Sequence, residues 1–441
     1  MSIKPRLSPF DLTMIVVSLV IGMGIFKTPG DVAMKAGSPC IFFSVWIFGG
    51  IVSLCGALTF AEIGARYPNA GGFYKTLSYC YHPSLAFMAE WVLAISNIAS
   101  VAAVALIGAE YINPILMPPS LQNEVGIKII TISSVLILYI VNYLGIKMSA
   151  RVQNVLIVFK ITMIVLLCTA VFHHSIPPPV TGFTAYSGNI LSIFGQCLIP
   201  VFFTYTGYAL TINFGGDIIM PKRNIPRSIF WGMGIVIVLY MAINYAYYTV
   251  LGFGGLQQTT VLAARMAEVI FGPVGYKITS ILMFLSVLAY VNVYILSNPR
   301  VYYAMAEDGI LPQIFRRVNS RTQVQEFGMT FFVAAILLIL FFVGSFSALL
   351  SYTMFFNTIG LILGASAIFR LRRKTKELDD TGIYTIRWYP LIPLVFIAAY
   401  LFVTISIFIA DPMACFVCTG TFAVGLLIYY ATSKIKERTG T

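Results

Sequence analysis

Two long apolar runs, one near the start of the chain and one near its middle, are interrupted by glycine and proline. The first is apolar over Leu12–Ile21 and continues with Gly22–Phe26 (Gly-Met-Gly-Ile-Phe) and Pro29. The second is interrupted by Pro200 and by Thr204–Gly207. Glycine costs about 1 kcal/mol in a helix interior and proline about 3 kcal/mol, so neither run is a good continuous helix. Backbone N–H and C=O groups freed at such breaks can bind the polar ends of a small molecule without a charged side chain.

A lysine, Lys160, lies near the centre of another apolar run. An ammonium group at the middle of a membrane helix costs about 2.5–3.5 kcal/mol on insertion scales, so such a residue is a functional candidate by default. The alternative is a lysine whose side chain snorkels to the membrane surface. Because the apolar run extends well beyond Lys160 on both sides, a functional role is the preferred interpretation.

The composition places these residues in a membrane protein. Of 441 residues, 59% are hydrophobic and only 10% are charged, and the mean hydropathy is +0.89. A soluble domain carries about 25% charged residues, so an ordinary soluble enzyme is excluded. The net charge of +12 does not indicate nucleic-acid binding, because the Lys and Arg residues lie between the apolar runs rather than on one basic face.

Twelve apolar runs are long enough to cross a membrane as helices, which predicts an all-α membrane protein in contact with lipid. Most Lys and Arg residues fall in alternate connections, which places both termini in the cytoplasm and requires an even number of spans. We predict the plasma (inner) membrane as the location. The predicted spans are 10–34, 39–62, 86–110, 126–145, 152–172, 190–218, 228–252, 275–303, 328–346, 348–370, 389–410 and 413–432.

The two interrupted runs are spans one and six, the first members of two successive sets of five. Unpaired backbone at membrane depth is tolerated only where it lines a cavity or meets a ligand. Inverted-repeat transporters place their broken helices and their central site at these corresponding positions. The alternative is a pair of packing kinks with small residues at helix contacts. The recurrence of the break in both halves favours a transporter.

The acidic residues of the spans all lie toward span ends, where an interfacial or capping role is expected. They are Asp11, Glu62, Glu90, Glu110, Asp217 and Asp411. A cationic substrate is expected to need a buried carboxylate partner. The lack of an acid near any span centre therefore favours a neutral substrate.

The sequence does not favour an enzyme, a metal site or a cofactor. His82, His173 and His174 lie outside the spans, and the last two are interpreted as a loop pair. Cys415 and Cys418 form a C-x-x-C in an apolar stretch, where two small hydrophobic thiols are more expected than a redox pair. No cleaved signal peptide is expected, because the short polar segment before the first run precedes no A-x-A-like site.

Several motifs resemble those of the amino acid, polyamine and organocation transporter superfamily, in particular its L-amino-acid-transporter-like exchangers. Ile21–Phe26 resembles the first-helix motif G-S-G-I-F, and Phe203–Tyr208 is similar to the sixth-helix motif F-S/A-Y-x-G-W. Further matches are Pro221–Arg227 (P-K-R-N-I-P-R), Ala61–Glu62 followed by Pro68, Gly71, Gly72 and Tyr74, Arg151–Gln153 leading to Lys160, and Arg300 with Glu307–Pro312. The resemblance extends from about Leu7 to Pro412.

This resemblance implies a LeuT-like fold of five plus five inverted-repeat helices within one transmembrane domain, 1–441. The repeats are 10–172 and 190–370, and the two appended helices are 389–432. It implies that backbone N–H groups around Gly22, Met23, Gly24 and Ile25 bind a substrate carboxylate, and that carbonyls near Phe203, Thr204 and Tyr205, with Thr206 and Gly207, bind its ammonium. Lys160 then replaces a sodium ion by tying helix five to the broken first helix and to helix eight, where Ser286 is a weaker candidate partner.

The chain departs from the family pattern at two positions of the expected site. Met23 replaces the usual serine, and its bulky thioether is expected either to narrow the pocket or to face elsewhere. Tyr208 replaces a tryptophan that covers the substrate. The loop 111–126 contains no cysteine, so no disulfide-linked accessory chain is expected. We predict sodium-independent secondary transport of neutral L-amino acids by exchange or proton coupling. The alternative is a polyamine or a cationic or anionic amino acid carrier of the same superfamily.

Overall fold

The computed structural model describes residues 5–169, 190–258, 262–342, 346–410 and 412–439. Fourteen α-helices and two isolated β-bridges occur within these ranges. The helices are Pro9–Val20 (α1), Gly24–Ala36 (α2), Pro39–Arg66 (α3), Gly72–Cys80 (α4), Pro83–Leu116 (α5), Glu124–Tyr143 (α6), Ile146–Thr169 (α7), Ile190–Tyr205 (α8), Pro221–Gln258 (α9), Leu262–Glu307 (α10), Glu326–Phe342 (α11), Phe346–Lys374 (α12), Leu391–Ala410 (α13) and Pro412–Thr439 (α14).

In the described part of the chain, ten helical segments are long and apolar enough to cross a membrane. The first of them contains both α1 and α2. Two further apolar stretches, Glu326–Leu340 and Thr419–Tyr430, are shorter. The chain is therefore a multi-pass helical membrane protein.

The first interruption predicted from the sequence is present between α1 and α2. The helix α1 begins with a capping box, in which the Ser8 hydroxyl accepts from the Asp11 N–H and the Asp11 carboxylate accepts from the Ser8 N–H. It ends at Val20, because Ile21 has φ −75° and ψ 86°, and α2 begins at Gly24. Pro29 lies in the second turn of α2 and does not end it.

The second interruption lies at the end of α8. This helix ends at Tyr205, and Gly207 has φ +119°, a conformation that favours glycine. The chain continues as a 3₁₀ helix over Tyr208–Asn213. The sixth predicted span is therefore a long α-helix followed by a turn and a short 3₁₀ segment.

Two predicted spans begin or end at kinks inside longer helices, and one helix was not predicted. The spans 228–252 and 275–303 correspond to α9 and α10, which extend over 38 and 46 residues. Each contains a kink at a glycine with positive φ, so the predicted span 228–252 ends at the kink of Gly252 and the predicted span 275–303 begins just after the kink of Gly272. The helix α4 lies in the connection after α3 and is too short to span a membrane.

The interrupted helices are enclosed by longer ones. The helix α1 packs against α7, α9 and α10, while α2 packs against α8, α9 and α3. The long helix α10 packs against α5, α6 and α7. The added helices lie outside this core, with α13 against α12, α3 and α8, and α14 against α5 and α12. Both helix breaks are thus surrounded by protein rather than by lipid.

The expected interfacial role of the acids is correct for Asp11, which caps α1, and wrong for Glu62 and Asp217. Glu62 is fully buried and pairs with Arg66 at 2.6 Å and with Arg372 at 2.7 Å. Asp217 is fully buried and pairs with Arg300 at 2.5 Å. A buried carboxylate needs such a partner, and each arginine reaches it only through the tertiary fold or the next helical turn.

The remaining three acids differ from one another. Glu90 is buried, contrary to the expectation, whereas Glu110 is exposed. Asp411 lies outside the described residues.

A further ion pair joins the loop helix α4 to the end of α10. The ammonium of Lys75 lies 2.5 Å from Asp308 and 3.1 Å from Glu307. Burial lowers the pKa of Lys75, but the hydrogen bonds and charges of the two acids outweigh it and raise that pKa overall. Lys75 therefore stays charged at neutral pH and holds α4 against α10.

Candidate functional site

A cavity lies where the two helix breaks meet. Gly22, Met23 and Gly24 line it from the first break. Phe203, Thr206 and Gly207 line it from the second. The structure thus brings together six of the ten residues that the sequence motifs predicted for the binding site.

The opposite wall comes from three helices that the motifs did not identify. Asn97 and Ser100 of α5, Tyr290 and Tyr294 of α10, and Asn357 of α12 line the cavity. The Ser100 and Tyr290 hydroxyls lie 3.0 Å apart, and the Asn97 amide donates to the Asn298 side chain at 3.0 Å. This wall is polar but carries no formal charge.

No charged side chain is among the described residues that line the cavity. The cavity has a volume of about 60 Å³. A single water needs at least about 10–15 Å³, so the cavity has room for more than one water. A small neutral molecule with a few polar groups is the ligand that this space and lining fit.

The N-terminal end of α2 faces this space. Among the described hydrogen bonds, the N–H groups of Met23, Gly24 and Ile25 have no acceptor, whereas the Gly22 N–H already donates to the Val20 carbonyl at 2.8 Å. Free N–H groups at a helix start and the positive end of the helix dipole favour an anion. The anion-binding end therefore fits Met23 to Ile25 better than Gly22.

The carbonyls at the end of α8 have donors within the protein. The Phe203 carbonyl accepts from the Thr206 hydroxyl at 2.8 Å, and the Thr204 carbonyl accepts from Tyr240 at 3.0 Å. A carbonyl oxygen has two lone pairs, so the Thr204 carbonyl can accept one further bond, whereas the Phe203 carbonyl also accepts from the Thr206 N–H at 3.4 Å and has both lone pairs engaged. An ammonium at this end would share these carbonyls rather than find them free.

Close contacts hold the two breaks against each other. A side chain at Gly207 would place its first carbon 2.1 Å from the Leu19 carbonyl oxygen, so only glycine fits there. The Tyr240 hydroxyl lies 3.1 Å from the Val20 carbonyl and 3.0 Å from that of Thr204. One hydroxyl of α9 therefore connects the end of α1 to the end of α8.

Lys160 reaches the first break from α7. Its side chain is fully buried, and its ammonium donates to the carbonyl of Ile21, the residue directly after α1. A hydrogen bond from a charged donor contributes about 1.5–3 kcal/mol. Lys160 thereby fixes the direction of the segment that leads into the cavity.

A polar network also joins α7 to α1 and α10. The Gln153 amide donates to the Ser18 hydroxyl, and Asn292 donates to the Gln153 side chain at 2.7 Å. The Ser18 hydroxyl donates in turn to the Ala289 carbonyl at 3.2 Å. The link between helix five and helix eight of the predicted order thus runs through Gln153 and Asn292. The Ser286 hydroxyl is buried and has no partner among the described residues.

Four predicted site residues have side chains outside the cavity. Ile25 is buried, and Thr204 bonds to Thr28 at 2.9 Å. The Tyr205 ring packs 5.0 Å from that of Tyr240. Tyr208 is fully buried, with its ring 6.2 Å from that of Phe60.

Comparison with known proteins assigns the family. The amino acid permease family matches residues 7–438. The chain belongs to the amino acid permease family. The resemblance to the amino acid, polyamine and organocation superfamily that the motifs indicated is therefore confirmed.

The permease is similar along most of its length to several characterised transporters. It is 30% identical to the serine/threonine exchanger SteT of Bacillus subtilis, over 97% of this chain and 96% of that protein. It is 28% identical to the human cystine/glutamate transporter, over 82% of this chain and 73% of that protein. It is 23% identical to the human large neutral amino acids transporter small subunit 2, over 94% of this chain and 78% of that protein.

A spacing in the sequence could have identified the α5 wall of this permease. Leu93, Asn97, Ser100 and Val104 recur at intervals of three and four residues, which places them on one face of a helix, and all four line the cavity. Two polar residues on one face of an apolar span are a signal for a cavity. Tyr240 had no such signal, since its role depends on two carbonyls far away in sequence.

Two residue pairs identified in the sequence lie wholly or partly outside the described residues. His173 and His174 lie outside the described residues, as do the side chains of Cys415 and Cys418. His82 caps the start of α5, where its ring nitrogen accepts from the Ser84 N–H at 3.2 Å. Among the described residues, no group of three His, Cys, Asp or Glu side chains is arranged to hold a metal ion.

Proposed function

We propose that this permease is a sodium-independent secondary transporter of small neutral L-amino acids. The observation that carries the proposal is an uncharged cavity between two helix breaks, with free N–H groups on one side. An amino acid zwitterion needs one anion-binding and one cation-binding end, and helix ends supply both through their dipoles. The similarity to a serine/threonine exchanger supports a small neutral substrate.

The finer architecture belongs to the same proposal. Twelve spans in a LeuT-like arrangement of two inverted repeats agree with the corresponding breaks in α1–α2 and after α8. We further propose that the protein lies in the plasma membrane with both termini in the cytoplasm, as the distribution of Lys and Arg residues predicts. Such transporters work by alternating access, in which one helix set rocks against the other. We also propose that the protein acts without a disulfide-linked accessory chain, because residues 111–126 contain no cysteine.

Sodium independence rests on Lys160. Its fixed positive charge donates to the Ile21 carbonyl, and a cation close to this carbonyl would be repelled. The lysine thus takes over the connection between α7 and the first break that a bound metal ion would otherwise make.

The decisive experiment is uptake by the purified protein in proteoliposomes. Radiolabelled serine, alanine, leucine, glutamate and putrescine are compared, with and without internal amino acid, in sodium and in choline buffer. We expect saturable uptake of the neutral amino acids that is equal in both buffers. Protein-free liposomes are the control.

The alternative function is a carrier for polyamines or for cationic or anionic amino acids within the same superfamily. Its support is the similarity to the human cystine/glutamate transporter. A preference for putrescine or glutamate in the uptake panel would establish it and refute the neutral substrate.

A further inference from the structure

One buried acid plays no part in the cavity or in the ion pairs described above. Glu90 of α5 is 4% exposed, and its Oε1 atom has no hydrogen-bond partner among the described residues. The Glu62 and Asp217 carboxylates, by contrast, each pair with arginine. An ionised carboxylate without a cation is far more costly in a dry interior than the neutral acid. The position of Glu90 therefore requires an explanation.

Glu90 lies on the helix face that lines the cavity. It precedes Leu93 by three residues and Asn97 by seven, so it is on the same face about one turn away, roughly 5 Å along the axis. Leu93 and Asn97 both line the cavity. Glu90 is thus placed directly below the cavity, toward the end of α5 that is predicted to face the cytoplasm.

Tyr302 of α10 lies near Glu90 and belongs to the helix face that carries the cavity-lining tyrosines. Tyr290, Tyr294, Asn298 and Tyr302 follow one another at intervals of four residues. The Tyr302 phenol lies near Glu90, and its hydroxyl is buried without a described partner. Two hydrogen bonds therefore connect α5 with α10, Ser100 with Tyr290 and Asn97 with Asn298, whereas Glu90 and Tyr302 lie near each other without such a bond.

The charged groups of the surrounding helices are engaged elsewhere. Among the described residues, Glu90 is in none of the ion pairs and its Oε1 atom has no hydrogen-bond partner. Lys75 of α4 pairs with Asp308 and Glu307, and Arg300 of α10 pairs with Asp217. Glu326 of α11 accepts from the Asn319 amide. On α12, Arg370 donates to the Cys80 carbonyl, Arg372 pairs with Glu62, and Lys374 donates to the Tyr79 carbonyl. Glu124 and Lys128 lie in the first turns of α6, at the end that is predicted to face away from the cytoplasm. The side chains of the charged residues of α14 from Lys434 onward are outside the described part of the structure.

We propose that Glu90 is a proton-binding site that couples substrate movement to a proton gradient, with Tyr302 as its neighbour. A metal ion needs several oxygen ligands, and one carboxyl with one phenol does not supply them. A proton neutralises a single carboxylate completely. When water enters the cavity from the cytoplasmic side, the proton leaves the carboxylic acid for water, and the carboxylate is then hydrated.

The proposal rests on the proposed function, because it names the ion that accompanies the amino acid. It also selects between the two modes left open above, exchange and proton coupling. The proposed transport function and the proposed proton coupling are tested by different assays. Counterflow of labelled serine against internal serine needs no driving ion, whereas accumulation against a gradient does.

The test uses the full-length protein in proteoliposomes with the membrane potential clamped at zero. An inward gradient of one pH unit is worth about 1.4 kcal/mol, so one proton per substrate supports up to about tenfold accumulation of serine. We expect the wild-type protein to accumulate serine and to acidify the lumen with it. Glu90→Gln is expected to retain counterflow and to lose both accumulation and acidification. The matched control is Glu110→Gln, at an exposed acid of the same helix, which is expected to behave as wild type.

Three results would overturn the proposal. They are gradient-driven accumulation by Glu90→Gln, loss of accumulation in Glu110→Gln as well, and intact wild-type counterflow without any effect of the gradient. Absence of wild-type counterflow would instead refute the proposed function, and the coupling with it. If Glu90→Gln is not recovered folded, Glu90→Asp decides, since it keeps a carboxyl group at a shifted position. Accumulation with a displaced pH profile supports the proposal, and an unchanged profile refutes it.

Discussion

The substitution Lys160→Ala separates the function of the buried lysine from its effect on stability. The variant loses the ammonium that donates to the Ile21 carbonyl, a bond from a charged donor of about 1.5–3 kcal/mol. It also removes a charge whose insertion costs about 2.5–3.5 kcal/mol. These two contributions are of similar size and opposite sign, so the variant should insert and melt close to the wild type.

Transport by this variant should nevertheless fall strongly. Ile21 directly follows α1, and the free N–H groups at Met23 to Ile25 depend on its orientation. If the oriented segment loses 1.5–3 kcal/mol of stabilisation, its population falls by about 10- to 150-fold, and the maximal rate should fall with it.

Initial rates of serine counterflow, normalised to inserted protein, measure this effect. The matched control is Lys147→Ala, at an exposed lysine of the same helix α7, for which we expect a wild-type rate. Wild-type transport by Lys160→Ala across pH 5 to 8 would show that the bond to Ile21 has no role in the cycle. A misfolded variant with a low melting temperature would contradict the compensation of the two energies.

Three further predictions follow from the cavity and its walls. Gly24→Ala should abolish transport, because the new methyl carbon would lie 2.7 Å from the Thr204 hydroxyl oxygen, whereas Gly234→Ala, with no atom within 4 Å, should transport normally. Equal loss in both would contradict a steric cause. Tyr208→Ala should lower the melting temperature, since removal of a fully buried aromatic costs about 3–5 kcal/mol. It should leave the order of preference among glycine, alanine, leucine and phenylalanine unchanged. A broadened preference would show that Tyr208 belongs to the binding site. Replacement of sodium by choline should leave uptake unchanged, and a collapse of uptake would refute the role of Lys160.

The sequence alone predicted the features that follow from local chemistry. Glycine and proline raise the cost of helix at Gly22–Gly24 and near Gly207 whatever surrounds them, so both breaks were predictable. The cost of a charge in lipid identified Lys160 in the same way. The composition predicted a helical membrane protein, and the motifs predicted the family that the comparison confirms.

The tertiary structure alone decided which side chains meet. The direction in which Tyr208 points depends on φ and ψ at Gly207, and the motif carried no information about that turn, so its packing against Phe60 was not predicted. The pairing of Glu62 with Arg372 joins residues more than 300 positions apart, which no local pattern specifies.

The same reason applies to the wall formed by α5, α10 and α12. Its residues become neighbours only when three helices pack together, because a helix face is defined by periodicity but its partner is not. The sequence therefore determined where the backbone opens, and the packing of the helices determined what faces the opening.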